Sequence, residues 1–429
     1  MGSEGFDIPA DLDTPVSAFL KLAELAPRYL LESVEGGERI GRFSFLGLGD
    51  VEEIRCRADA ATLREALVRA PRLAPALPGI PFQGGLVGAV AYADAESVFL
   101  APRSVLVFDH VSRRAALLHA GSESERRDLR AAIVRALHGP IPSPPGRTAR
   151  PGPLAASFSR EEFLDAVLRA QAAIREGDVF QLVLSIRFQA PYDGDPFSLY
   201  RALRIVNPSP YTFFLRFSDT VLVGSSPEAL VKLSGRRAEL RPIAGTRGRG
   251  ADEAEDLALE AELAADPKEA AEHVMLVDLA RNDLGRVAVP GSIAVHPSRT
   301  IERYSHVMHL VSGVSGVLAP ERDALDLFAS CFPAGTVTGA PKVRAMELIR
   351  EIEPVPRGFY AGSVGYFGRD GSLDQAITIR TLAVSEGVVT FQAGAGIVAD
   401  SRPEAEHEEI LAKSAVLRAV LERSGEVTG

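Results

Sequence analysis

Carboxylates set among apolar neighbours are the first chemistry visible in this sequence. From Asp266 to Asp283 the chain reads Asp-Pro-Lys-Glu-Ala-Ala-Glu-His-Val-Met-Leu-Val-Asp-Leu-Ala-Arg-Asn-Asp. Asp266 suits a helix N-cap, Pro267 the first helical position, and Glu269 the return position of a capping box. Inside that helix Glu272, Met275, Leu276 and Leu279 recur at i, i+3, i+4 and i+7 and share one face. A carboxylate on an apolar stripe is costly unless a cation or a proton accompanies it. A second helix, opening near Ser401, places Glu406, Glu409, Ile410 and Lys413 on one face. Two helices each offering carboxylates at this spacing would make an all-oxygen site of the kind Mg²⁺ prefers. Glu272 and Glu409 lead that set. For Glu269 capping competes with a metal role, and for Glu406 a solvated face does.

Three glycine-bearing turns could receive anions. Phe332-Pro-Ala-Gly-Thr-Val-Thr-Gly-Ala-Pro-Lys leads into a helix beginning near Pro341, whose free N–H groups favour a carboxylate or phosphate. It is not a P-loop, because Gly335 and Gly339 lie too close together and Lys342 does not follow directly. Gln392-Ala-Gly-Ala-Gly-Ile-Val ends a strand with two glycines, which lets backbone approach a ligand closely. Arg241-Pro-Ile-Ala-Gly-Thr-Arg-Gly is the third. Arg380, in a strand-like run, could grip a carboxylate through two nitrogens. Glu228 and His309 are candidate proton-transfer groups. Taken singly, each turn also reads as an ordinary turn and His309 as a structural histidine. Together they suggest a small, multiply anionic substrate held partly through Mg²⁺.

The elements that position these residues follow from composition and pattern. The chain has 429 residues, 46% hydrophobic and 24% charged, enough for one large core or two joined ones. No run is long enough to cross a membrane and no signal peptide is apparent, so a cytoplasmic setting is expected. Two distant cysteines, Cys56 and Cys331, fit a reducing compartment. A formal net charge of −10 argues against nucleic acid as a main partner. Residues 28–48 read as a hairpin around Gly36-Gly37, Glu123 to Leu137 as a charged helix, and Ser159 with Glu162 as a capping box opening another. Gln181 stands near the start of a β-branched strand. The stretch 139–153 holds six prolines and divides an N-terminal region, 1–145, from a larger one, 155–425. Strands and helices mix without βαβ rhythm or a dinucleotide fingerprint. The expectation is α+β with antiparallel sheets.

The segments 177–185, 226–228, 242–247, 266–283, 304–309, 335–342, 360–380 and 394–413 occur in an order that resembles the chorismate-utilising enzymes, over most of residues 155–425. The resemblance implies an α/β sandwich of antiparallel sheets flanked by helices. It implies Mg²⁺ as cofactor on Glu272 and Glu409, with Glu269 and Glu406 close behind. Chorismate would meet Gly394, Ala395, Gly396, Lys413, Arg380, Tyr366, the Thr338-Gly339-Ala340 turn, and Gly245-Thr246. Glu228 matches the acid that helps the C4 hydroxyl leave, and His309 a histidine needed for pyruvate loss.

Within the family two positions discriminate. Members that add water carry a lysine where this chain has Gln181, so ammonia is the expected nucleophile. Members that aminate chorismate but keep the pyruvyl group commonly have a lysine at position 244, which here is Ala244. The resemblance therefore implies conversion of chorismate to anthranilate and pyruvate, the first step of tryptophan synthesis. The alternatives are the pyruvyl-retaining reaction and a non-catalytic tryptophan- or chorismate-binding regulator. Leu31, Glu32 and Ser33, with Pro210 and Tyr211, resemble a tryptophan-inhibition site, although Thr212 departs from the usual Met. No cysteine sits as a glutaminase nucleophile, so a separate glutamine amidotransferase subunit is the expected source of ammonia.

Overall fold

Along the strand Ser97–Asp109, Phe99, Ala101, Leu106 and Phe108 face one apolar cluster while Val98, Leu100, Val105 and Val107 face another. The strand Gly85–Val90 alternates likewise, Leu86 and Val90 against Val87 and Ala89. Period-two alternation therefore buries both faces of the sheet, which is why such strands read as unbroken apolar runs. The first cluster lies against helices, through Phe19, Leu63, Ile133, Phe163, Leu199 and Leu417. The second takes its members almost wholly from strand faces, among them Tyr29, Phe45, Phe213, Leu222 and Val364. The result is a mixed α+β sandwich with its helices outside.

The computed structural model describes residues 5–32, 41–57, 59–93, 95–142, 151–303 and 307–426, the side chains of Thr246 and Val307 excepted. Nineteen of its strands join one network, three more form a separate sheet, and every ladder is antiparallel. The 28–48 hairpin forms from Pro27–Glu32 and Phe43–Cys56; its turn lies outside the described residues. The linker core 143–150 does too. On either side of it the sheet is shared: Pro27–Glu32 pairs with Tyr211–Arg216, and Gly85–Val90 with Ser363–Gly368. Backbone ladders thus continue the N-terminal region into the larger one.

Local signals explain the helix ends. Ser122 with Glu125, and Ser159 with Glu162, form complete capping boxes. The helix Pro267–Gly285 departs from expectation at one point. Asp266 caps it by accepting from the N–H groups of Lys268 and Glu269, but Glu269 returns no bond. The Asp266 N–H is already spent on Leu263 O, where the helix Glu253–Ala265 ends. Glu269 turns instead to Arg247, 3.3 Å away. The last helix, Pro403–Arg423, begins two residues beyond Ser401, whose hydroxyl closes a turn with Val398 N.

Candidate active site

The strand Gln181–Pro191 is the rail on which two of the glycine segments meet, and Gly394 to Gly396, expected as a turn, lie within a strand. On one side Gly339 and Ala340 pair with Leu182 and Gln181. On the other, Val388–Ile397 sets Gly394, Ala395 and Gly396 opposite Ser185, Leu184 and Val183. A methyl group built on Gly396 would lie 2.6 Å from the Gln181 amide nitrogen, and one on Gly394 2.6 Å from the Tyr360 hydroxyl. Only glycine leaves this space open at Gly394. Lys413 donates to Gly394 O at 3.1 Å and pairs with Glu409 at 2.6 Å, so it joins the C-terminal helix to the turn.

Tyr360, which sequence reasoning passed over, therefore replaces Tyr366 beside Gly394. Tyr366 lies on Ser363–Gly368 with the same parity as Val364, so it points into the strand-lined core, against Phe82 at 4.8 Å between ring centroids. Thr338 is a second correction. As C-cap of the short turn Gly335–Val337 it is fully buried and donates its hydroxyl to Ala334 O at 2.8 Å. Thr336, two residues earlier, carries the hydroxyl that faces Glu228; its oxygen is buried and makes no well-aligned hydrogen bond, yet it favours the Glu228 anion.

Glu228 follows the strand Thr220–Ser226. The residue keeps an open edge, but its carboxyl is enclosed by protein, and that desolvation raises its pKa to about 7 against the opposing pull of Thr336, Lys413 and Arg380. It shares a cavity of about 50 Å³ with Thr336, Asp283 and Cys331. Arg380 lies not within a strand but between Leu373–Ile377 and Thr381–Ser385, in the left-handed region at φ 49°. Its guanidinium donates to Asn207 Oδ1 at 3.3 Å. His309 stands opposite Thr246 in the separate sheet, its Nδ1 3.2 Å from Gly245 O. The ladder slips at Gly245, whose φ of +63° suits glycine, and a Cβ there would come within 3.1 Å of the Glu269 carboxylate. Burial, reinforced by the charge of Arg380, depresses the His309 pKa and keeps the ring neutral at pH 7. The Thr246 side chain lies outside the described residues.

The carboxylates of the two helices share one electrostatic environment. Burial raises the Glu272 pKa, and the charges of Glu269 and Glu409 raise it further. Burial likewise raises Glu406, again with Glu409 adding to the effect. Lys268 and Lys413 oppose both shifts. Among the described residues no three His, Cys, Asp or Glu side chains already converge as a metal nest. The donor set nevertheless fits a hard cation, since like charges held this near one another are relieved by a shared positive ion.

The residues expected to bind an inhibitor gather elsewhere. Leu31, Glu32, Pro210 and Tyr211 line a second cavity of about 570 Å³, together with Phe45, Thr212, Tyr366 and Asp374. Ser33 lies outside the described residues. Glu32 is buried and held by the Tyr200 hydroxyl and by Arg204 at 3.1 Å. Burial, aided by Asp374, pushes the Tyr211 and Tyr366 phenols well above their usual range.

An acid, a neutral histidine, an arginine and a lysine around two glycine-bearing segments define an enzyme acting on a small polyanion. The comparisons with known proteins narrow this class. Residues 28–419 match the family described as chorismate binding enzyme, and the chain belongs to that family. It is 48% identical to anthranilate synthase component 1 of Thermus thermophilus, over 96% of each chain. It is 45% identical to that of Streptomyces coelicolor, over 96% of this chain and 88% of that one. The crystal structure of anthranilate synthase component I from Streptococcus pneumoniae superposes with a TM-score of 0.80 at 34% identity, covering 89% of this chain and 94% of that chain.

Proposed function

We propose that this chain converts chorismate and ammonia to anthranilate, pyruvate and water, acting as a component 1 subunit. The observation that carries the choice of nucleophile is Gln181. Its amide lies over Gly396 where the two glycine segments meet, and an amide cannot take a proton from water. Ammonia, by contrast, arrives as a competent nucleophile. It adds at C2 of the ring while Glu228, protonated up to about pH 7, gives its proton to the departing C4 hydroxyl. The neutral His309 ring then accepts the C2 proton as the enolpyruvyl group leaves and the ring becomes aromatic. Arg380, Lys413, Tyr360 and backbone N–H groups of the two glycine segments orient the two carboxylates.

Mg²⁺ is proposed on Glu272 and Glu409, with Glu269 and Glu406 behind them; when bound it would hold and polarise the ring carboxylate. The 570 Å³ cavity is proposed to take tryptophan as a feedback inhibitor, with Glu32 and the aromatic wall as its recognition elements. A separate glutamine amidotransferase subunit would supply ammonia, and a cytoplasmic setting suits such a pair. Among the described residues no helix is long and apolar enough to cross a membrane.

¹⁵N-ammonium with chorismate and Mg²⁺, without glutamine, tests the reaction. Anthranilate carrying the label is expected. A hydroxylated, nitrogen-free product would contradict the reading.

A further inference from the structure

One side chain links Arg380 to the segment that walls the larger cavity. Asn207 caps the C-terminus of the helix Pro196–Val206, the same helix whose Tyr200 and Arg204 hold Glu32 at the larger cavity. Its Oδ1 accepts from Arg380 at 3.3 Å. Its Nδ2 donates to Ser209 Oγ at 3.2 Å and approaches Ser225 O at 3.5 Å. Both serines are buried. Ser225 ties the group together from the other side: its hydroxyl donates to Asn207 O at 2.5 Å, and its N–H to Arg380 O at 3.2 Å. Arg380 is thus gripped at its backbone and at its guanidinium by adjoining members of one network. Ser209 immediately precedes Pro210–Phe213, which wall the larger cavity, and Thr212 Oγ1 lies 3.3 Å from Ser225 Oγ.

An arginine on a long stem, in a left-handed bend between strands, is not aimed by its backbone alone. Its side chain has several rotatable bonds, and holding it costs entropy that a fixed partner offsets in advance. Asn207 is such a partner, since its own amide is anchored through its donors while its acceptor is left for Arg380. We propose that Asn207 is a positioning residue for Arg380, aiming the guanidinium at a substrate carboxylate from the end of the helix that grips Glu32. The proposal rests on the reading of Arg380 as a substrate-carboxylate ligand. It makes Asn207 a determinant of chorismate affinity, although it need not touch chorismate.

The test is a KM-against-kcat split in ammonia-dependent turnover, beside crystal structures of the wild-type and variant chains. Asn207→Ala should raise the chorismate KM about tenfold and change kcat less than about threefold, since a misaimed ligand weakens binding of ground and transition states together. Ser209→Ala, which loosens one anchor and leaves the Arg380 contact in place, should raise KM about threefold and covers the case in which the first variant does not fold. In the Asn207→Ala crystal the Arg380 guanidinium should be displaced. KM within about twofold of wild type in both variants, or an unmoved Arg380, would overturn the proposal. If the wild-type chain does not consume chorismate, the functional reading fails by itself, and the Arg380 position in the two crystals still decides the role of Asn207.

Discussion

The two cavities handle charge differently. In the larger one each buried carboxylate has a cation of its own: Glu32 is held by Tyr200 and Arg204, and Asp374 by Lys232 at 3.4 Å, although burial still raises the Asp374 pKa and its Oδ1 makes no hydrogen bond. What it offers a ligand is shape, an aromatic wall and carboxylates already joined to cations. In the catalytic cleft, Glu228, Glu272 and Glu406 are all shifted toward the protonated form by burial, and Lys413 is shared among them. That cleft pays in stability for carboxylates that are ready to give up a proton or receive a cation. The two cavities are thus told apart by whether each buried carboxylate has a cation of its own or shares one.

The largest effect that would sharpen this contrast is Glu228→Gln. It keeps the shape and removes the proton, and should lower kcat by roughly 10²- to 10⁴-fold in steady-state assays. Glu272→Gln should weaken Mg²⁺ binding by on the order of 10- to 100-fold, read both by calorimetry with Mg²⁺ alone and by the Mg²⁺ dependence of turnover. Unchanged binding would remove Glu272 from the metal set. A tyrosine pair separates the cavities: Tyr360→Phe should act mainly on chorismate KM, and Tyr366→Phe mainly on half-inhibition by tryptophan. The reverse assignment would show the two sites confused.

The smallest effect concerns stability. The folded pKa of Glu228 is raised from 4.5 to about 7, so between these values the folded state binds more protons than the unfolded one. Stability contributed by the protonated form is therefore complete below pH 4.5 and is lost as pH rises through 7. Glu228→Gln should abolish this slope and be more stable than wild type at pH 8, by up to about 3 kcal/mol in denaturant titrations. A steeper wild-type loss on the acid side of pH 4.5 would not come from this group.

Much of the site was legible because its residues sit in motifs with local causes. The Asp266 cap, the Glu272 face, the Gly335–Gly339 turn and the Ser159–Glu162 box are each set by neighbours within about one helical turn, whereas the two other expected glycine turns lie within strands, Ile243–Gly248 and Val388–Ile397. The errors fall where tertiary packing chose between near neighbours. Thr338 and Thr336 are two residues apart in an irregular turn, so no period told which hydroxyl would be consumed by Ala334 O. Tyr360 precedes its strand and Tyr366 lies within it, and only the parity set by pairing with Gly85–Val90 sends Tyr366 to the other cavity. Glu269 lost its capping bond to a helix end whose position depends on the preceding segment. Asn207 carried no catalytic signal at all. Its role depends on a hydrogen bond to Arg380, far along the chain.

One assay addresses the central claim that the cleft whose carboxylates share Lys413 acts on chorismate with ammonia. The purified chain is mixed with chorismate, Mg²⁺ and an ammonium salt, and anthranilate fluorescence is followed together with pyruvate. The account predicts that both appear in equal amounts and that both vanish when EDTA removes the metal. Chorismate consumed without pyruvate, or left intact with ammonia in excess, would contradict it.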